Sequence, residues 1–576
     1  MKTKTAPPLP ARRRRWQASL AALCVSAIGS LAFVASTGTA QTIVSTSELP
    51  TLGDTARSDL SPILERKLGE EIMRDIRRDH DYLDDDVILE YLNTFGNVLV
   101  SARPGARGET GYDFSFFAVR DPMLNAFALP GGFIAVHSAL LVAAQTESEL
   151  ASVLSHEIGH VVQRHIARAV GQQRQDSLIP LAAMLLAVLA AKASPDASMA
   201  LMTGGQGLAI QRQLNFSRDA EREADRVGFQ IMGAAGFDTS GMVAFFGRLQ
   251  NAYRSYSDLT PPWLMTHPLT SERIADIQAR IREAPYRQRV DSLEFQLVRA
   301  RARALQEESV QGIADTEIAF HTQLEQDNRQ QQAAGKYGLA ILALKKGDLA
   351  KAQEWLDAAR ASTKPRSGGA VFSAVHANND GEAVFASMAI EIKLANGQPP
   401  EVKLQGLKEA EVAHAAFPLS RGIARQVAEA LAANGKLEEA AHYLRDQVQM
   451  YRQEPKLYEL LAKTYAAQGK IALQHMSLAE AYLLNTSTMA AIDQLDIARK
   501  STDASFYDMA IVDARERELQ ERHRDEVGDK KKDKDKDKDK DGHLAGRDAH
   551  LSVDTHGGPR QLQGADARLE ALRANR

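Results

Sequence analysis

Residues 155–165, SHEIGHVVQRH, set three histidines and a glutamate inside one apolar stretch. Buried groups of that kind need partners, so the segment constrains what can pack around it. On a helix His156 and His160 are four residues apart and share a face, one turn above the other. Two imidazoles so placed can reach a single Zn2+ at about 2.0–2.1 Å each. Glu157 lies beside the first histidine and can face a metal-bound water, the position of the general base in the H-E-x-x-H pattern. Gly159 admits the close approach of another element, while Ile158, Val161 and Val162 supply packing. A five-residue match of this kind also arises by chance on core-facing helices. His165, five residues after His160, falls off the shared face and is expected in solvent. Upstream, Thr146 followed by Glu149 has the form of a capping box and predicts the helix start.

A catalytic zinc needs a third protein ligand and one open position. The candidate lies in FSRDAEREADRVGFQIM, residues 216–232, where Glu221 and Asp225 again share a helical face. Glu221 can ligate the metal while Asp225 orients a ligand histidine through its second ring nitrogen. Glu223, about 200° around the helix from Glu221 at 100° per residue, is the weaker candidate. A solvated face built on Arg218, Asp219, Arg222 and Arg226 is the competing explanation, and it prevails unless the two motifs are taken together.

Taken together, HEIGH, EREAD about sixty residues later and LNAFALPGGFIAVHSALL at 124–141 resemble the gluzincin metalloprotease family. That family includes the membrane-embedded CAAX prenyl protease and the heat-shock protease HtpX. The resemblance implies a zincin-type α+β domain with a small sheet and one zinc per chain. It assigns His156, His160 and Glu221 as ligands, Glu157 as base and Asp225 as the residue behind a ligand histidine. It also implies that Asn125, Ala126 and Phe127 belong to a strand beside the substrate. The residues agree: Pro130-Gly131-Gly132 separates two apolar runs, as a turn between short strands does. A strand edge there could pair with an extended peptide through its main chain; an ordinary hairpin packed under the helix is the alternative. In MTHPLTSERIADI, His267 sits in a loop fixed by Pro268, ahead of a helix expected to start at Ser271. The family places the histidine of this T-H-P segment close to the metal. There it could cap the zinc as an inhibitory fourth ligand or donate to the oxyanion of the transition state.

Around this core the 576-residue chain divides further. Residues 1–40 have a basic start, an apolar centre and small residues ending at Ala40, the layout of a secretory signal peptide, with an uncleaved anchor as the alternative. The sole cysteine, Cys24, falls inside it, so the exported chain would need no disulfide. The apolar run at 178–191 spans about 21 Å as a helix, short of the roughly 30 Å of a bilayer core, and is expected to be a buried hairpin or lid. A net charge of −4 argues against a nucleic-acid partner. Residues 41–285 are thus expected to form the metalloprotease domain.

From about 286 to 525 the chain becomes helical and repetitive. Gly435 and Gly469 are 34 residues apart, the tetratricopeptide period, and Gly347 opens the same frame earlier. The expected fold class is therefore mainly α: a metalloprotease domain followed by a tetratricopeptide solenoid whose concave surface binds protein. Residues 365–381 interrupt the array. The tail, 526–576, contains DKKKDKDKDKDKD and is expected to be disordered; the lysines oppose a calcium-loop reading. Exported members of the family that carry such repeats act in the periplasm in outer-membrane quality control. Resemblance to them implies unfolded or misassembled outer-membrane proteins as substrates and assembly machinery as the docking partner. The alternative is a chaperone-like scaffold whose zinc site is normally occluded.

Overall fold

The computed structural model describes residues 60–103, 111–171, 218–255, 267–287, 289–363, 381–485 and 487–525, all within the unit Pro50–Arg576. The predicted leader, the 178–191 run, nearly all of the 365–381 interruption and the charged tail lie outside the described residues. Among those described, no helix is long and apolar enough to cross a membrane.

Helix α1 (Pro62–Arg78) starts with Pro62 just inside a Ser61 cap whose hydroxyl accepts from the Leu64 amide, and it ends on Arg77 and Arg78. These are the residues that satisfy a first turn and complement a helix dipole. Asp85 caps α2 (Asp86–Ser101) in the same way. Three short strands follow, β1 (Ser115–Val119), β2 (Ala126–Leu129) and β3 (Phe133–His137), in the order β1-β3-β2. β3 is central, parallel to β1 and antiparallel to β2, with Ala126 opposite Val136 and Leu129 opposite Phe133. The turn between β2 and β3 falls at residues 130–132, where Pro-Gly-Gly predicts it.

Alternation divides the strands between two apolar clusters. Phe117, Val119, Phe133 and Ala135 pack on Ile72, Met73 and Ile76 of α1. Phe116, Ala118, Ile134 and Val136 join the main core with α2 and with α4 (Glu147–Val162), which follows the short α3 (Ser138–Ala143). Thr146 and Glu149 cap α4 as expected: Thr146 Oγ1 accepts from the Glu149 amide at 3.1 Å, and the Glu149 carboxylate accepts from the Gln145 amide at 2.8 Å.

Every residue from Glu147 to Val161 is buried, so α4 is surrounded on all sides. Helix α5 (His165–Gly171) follows after a break, then α6 (Arg218–Ala234), α7 (Gly241–Ser255) and α8 (Ser271–Glu283). α6 crosses α4 at glycines. A Cβ on Gly159 would lie 2.9 Å from the Ala224 carbonyl oxygen, and one on Gly228 would lie 3.0 Å from the His156 amide nitrogen. Only residues without side chains let the two backbones come so near, and that nearness aligns the polar faces of both helices.

The main core runs on beyond residue 285. Leu293, Phe295, Leu297 and Val298 of α9 (Leu293–Gln306) belong to it, as do residues of α10 (Val310–Leu324), α11 (Arg329–Lys345), α12 (Leu349–Thr363) and α13 (Glu382–Leu394). Thereafter helices come in packed neighbours: α14 (Pro400–Ala416), α15 (Arg421–Ala433), α16 (Leu437–Met450), α17 (Pro455–Ala467), α18 (Ile471–Asn485), α19 (Thr488–Lys500) and α20 (506–525). Small apolar clusters link them in sequence. One spans α13 to α16, a second α15 to α18, a third α18 to α20, the nearest-neighbour pattern of a repeat array. Gly347, Gly435 and Gly469 each take positive φ after α11, α15 and α17, where the frame predicts an inter-helix turn. The architecture is mainly α with one small sheet and a helical repeat region, as expected.

The helices after residue 285 also meet α2 directly. The acidic start of α2 is held by Arg301 of α9 on Asp85 (2.8 Å), Arg425 of α15 on Asp86 and Lys456 of α17 on Asp84. Glu90 accepts from the Gly422 amide at 2.6 Å and the Ser420 hydroxyl at 2.8 Å, at the first turn of α15.

Candidate metal centre

Helix periodicity puts His156 and His160 on one face of α4, with their Nε2 atoms 3.0 Å apart. The glycine crossing brings Glu221 of α6 onto that face. Its carboxylate oxygens lie 3.5 Å from His156 Nε2 and 3.4 Å from His160 Nε2. His267 enters from the segment before α8, its Nδ1 2.9 Å from Glu221 Oε1 and 3.4 Å from His156 Nε2. One donor atom from each of these four residues lies within 4.8 Å of all the others, and all four residues are buried.

These separations fit a metal. Donors at 2.0–2.1 Å around a tetrahedral zinc lie about 3.3 Å from one another, and the observed spacings scatter around that value. Two imidazoles and a carboxylate are also the donor types zinc takes. Burial would raise the Glu221 pKa, but the His267, His156 and His160 rings outweigh it and hold the carboxyl well below its ordinary value. At His156 burial favours the neutral ring, yet Asp225 and Glu221 bring the ring up to about 9. The buried carboxylates of Glu157, Glu221 and Asp225 thus surround the imidazoles.

Behind the donors sit two supporting sets. Asp225 Oδ1 lies 2.9 Å from His156 Nδ1, as the spacing of Glu221 and Asp225 suggested. Asp225 is itself gripped by Arg273 of α8, Nε to Oδ2 at 2.7 Å and Nη2 to Oδ1 at 2.8 Å, and Arg273 Nη1 reaches Glu221 Oε2 at 2.8 Å. Sequence reasoning missed Arg273, although α8 begins at Ser271 as expected, on a Thr270 cap.

The other set corrects an expectation. His165 is not in solvent: it is 2% exposed, with Nδ1 2.8 Å from His160 Nδ1. The reason is that α4 ends at Val162, and Arg164, at φ 52°, turns the chain back before α5 begins. Glu223 meets His165 Nε2 (3.2 Å) and Arg168 (2.7 Å) rather than the donor cluster. The hydrogen bond from His165 is the main cause of its carboxyl falling to about 2.

Glu157, the next residue along α4 from His156, is buried with Oε1 3.6 Å from His267 Nε2. α4 also packs against β2. Ala126 of that strand is buried, Phe127 is half-buried, and the carbonyl of Asn125, buried just before it, accepts from the His137 amide. Since β3 pairs only one side of β2, the other edge has no strand partner among the described residues.

Residues 92–281 match the model of peptidase family M48. The β-barrel assembly-enhancing protease of Escherichia coli K12 is 31% identical over 477 residues, 82% of this chain and 92% of the relative. A Vibrio cholerae relative named for the same activity is 41% identical over 254 residues, 44% of this chain and only about half, 51%, of that protein. The mitochondrial metalloendopeptidase OMA1 of Schizosaccharomyces pombe is 32% identical over 177 residues, 31% of this chain and 49% of its own length. With a converged His/Glu cluster and a relative matched almost end to end, this chain belongs to peptidase family M48 and is a zinc metallopeptidase.

Proposed function

We propose that the chain is an exported, periplasmic zinc endopeptidase that degrades misfolded outer-membrane protein precursors. Its helical hairpins act as tetratricopeptide repeats that dock on the outer-membrane assembly machinery. The carrying observation is the convergence of His156, His160, Glu221 and His267, in a chain that matches 92% of the length of the E. coli β-barrel assembly-enhancing protease.

In this reading His156, His160 and Glu221 hold the zinc. When bound, the metal lowers the pKa of a coordinated water toward neutrality and polarises a peptide carbonyl. Glu157 takes the proton from the attacking water on a carboxylate oxygen and returns it to the departing amine. Asp225 keeps the His156 ring oriented, and Arg273 keeps Asp225 in place. The strand that begins at Ala126, with Asn125 just before it and Phe127 within it, aligns an extended peptide by main-chain pairing along the edge that β3 leaves free. The test is cleavage of an unfolded outer-membrane barrel protein by the full chain and by His267→Ala. A chelator should stop it and about one equivalent of zinc should restore it. No cleavage by either protein, with zinc bound, would exclude the proposed substrate.

The position of His267 favours a restrained enzyme. Its Nδ1 stands among the ligand atoms, where it can occupy the fourth position and keep water out, and its Nε2 is turned toward Glu157. His267→Ala is therefore expected to raise indiscriminate cleavage and self-digestion, read by electrophoresis against an inactive control. An oxyanion donor would show the opposite sign, a fall of about 10²–10³ in turnover. The same placement supports the second reading, a chaperone-like scaffold with an occluded zinc site. That reading prevails if the wild type promotes barrel assembly without cleaving and His267→Ala cleaves.

A further inference from the structure

We infer that His165 and Glu223 are positioning residues that hold His160 to the metal, the counterpart of Asp225 and Arg273 behind His156. The inference rests on the reading of His160 as a zinc ligand.

His160 turns Nε2 toward the other donors, so its remaining nitrogen, Nδ1, must carry the hydrogen. That hydrogen points at His165 Nδ1, 2.8 Å away, which accepts it on a lone pair. With Nδ1 accepting, the His165 hydrogen sits on Nε2 and is donated to Glu223 Oε2 at 3.2 Å. Arg168 Nη2 donates to the same oxygen at 2.7 Å. The donors and acceptors of these contacts have one consistent assignment, in which the two rings lead to a carboxylate–arginine pair. Asp225 and Arg273 end the support of His156 in the same way.

The backbone is bent to make the contact. Continued as a straight helix, α4 would carry residue 165 about 140° around the axis from His160. Arg164 instead takes the left-handed conformation at φ 52°, which is strained for a residue with a side chain and persists only when its surroundings enforce it. They do so here. The buried Arg164 guanidinium meets Glu65 Oε2 at 3.0 Å and the Leu60 carbonyl, and Tyr112 donates to the same Glu65 oxygen at 2.6 Å.

The consequence of such a relay is a fixed tautomer, a fixed ring angle and a more basic ligand nitrogen. The experiment measures zinc affinity by chelator competition on the full chain, with the Co2+-substituted absorption spectrum as a second readout. His165→Phe keeps an aromatic ring but cannot accept from His160, and should loosen zinc by about 10–100-fold. His165→Gln can accept at Oε1 and donate at Nε2, and should stay within a few-fold of wild type. Packing alone predicts the reverse order, and that result would overturn the inference. Glu223→Ala, at a half-buried site that tolerates truncation, should loosen zinc about tenfold with an altered Co2+ spectrum. If both His165 variants fold poorly, this variant decides: unchanged affinity and spectrum would overturn the inference. His160→Ala separates the two layers. Full zinc retention there removes the ligand reading itself, whereas zinc loss there with no change at His165 and Glu223 removes only the relay.

Discussion

Glu157→Gln should leave zinc bound near one equivalent and lower peptide hydrolysis by about 10⁴-fold. The substitution keeps the shape of a side chain that is 1% exposed and belongs to neither supporting set, so the ligand cluster should not move. What disappears is the base. An amide cannot take the proton from the attacking water or deliver it to the amine, and a positioned acid–base group contributes about 10²–10⁴-fold per role. Zinc content by elemental analysis and cleavage of an unfolded protein are the two measurements. Turnover within tenfold of wild type would remove Glu157 from the chemistry. Loss of zinc would instead make it a ligand.

Arg273→Ala should be the most damaging substitution outside the ligands. Arg273 is 2% exposed and the nearest cation to two buried carboxylates, Asp225 and Glu221. Removing one partner of a buried ion pair costs about 3–5 kcal/mol, because the remaining charge has lost both water and its counterion. Among the described residues Asp225 then has only His156 to hold it, so the ring behind the metal loosens as well. We expect a marked fall in melting temperature and weaker zinc binding, both measured on the purified full chain. Arg273→Lys should recover only part of the loss, since an ammonium cannot make the paired contact to both Asp225 oxygens. A melting temperature equal to wild type would show that the pair contributes nothing net.

Features set by local spacing were legible before the structure. The pairs His156–His160 and Glu221–Asp225, the Thr146–Glu149 cap, the turn at residues 130–132 and the start of α8 all follow from periods and capping rules acting within a few residues. Long-range partners were not. Arg273 lies 48 residues from Asp225, and nothing in its neighbourhood marks it as more than a helix-surface arginine. His165 was misplaced for a different reason: QRHIARAV contains no glycine or proline to announce that α4 stops, and the break is enforced by Glu65, 99 residues away. The acidic start of α2 carries no local mark of what binds it. Its partners Arg301, Arg425 and Lys456 lie more than two hundred residues downstream.

The edge of β2 that has no strand partner among the described residues gives the proposed activity a way to tell one state of a protein from another. A strand that is read through its amides and carbonyls must have those groups unpaired, and a closed barrel has none to offer because each strand is bonded on both sides. A precursor whose last strands have not joined the first still exposes a free edge. An enzyme that docks peptides on β2 would therefore sort barrels by closure alone, with no need for a recognition sequence. Cleavage would stop by itself at the moment assembly succeeds.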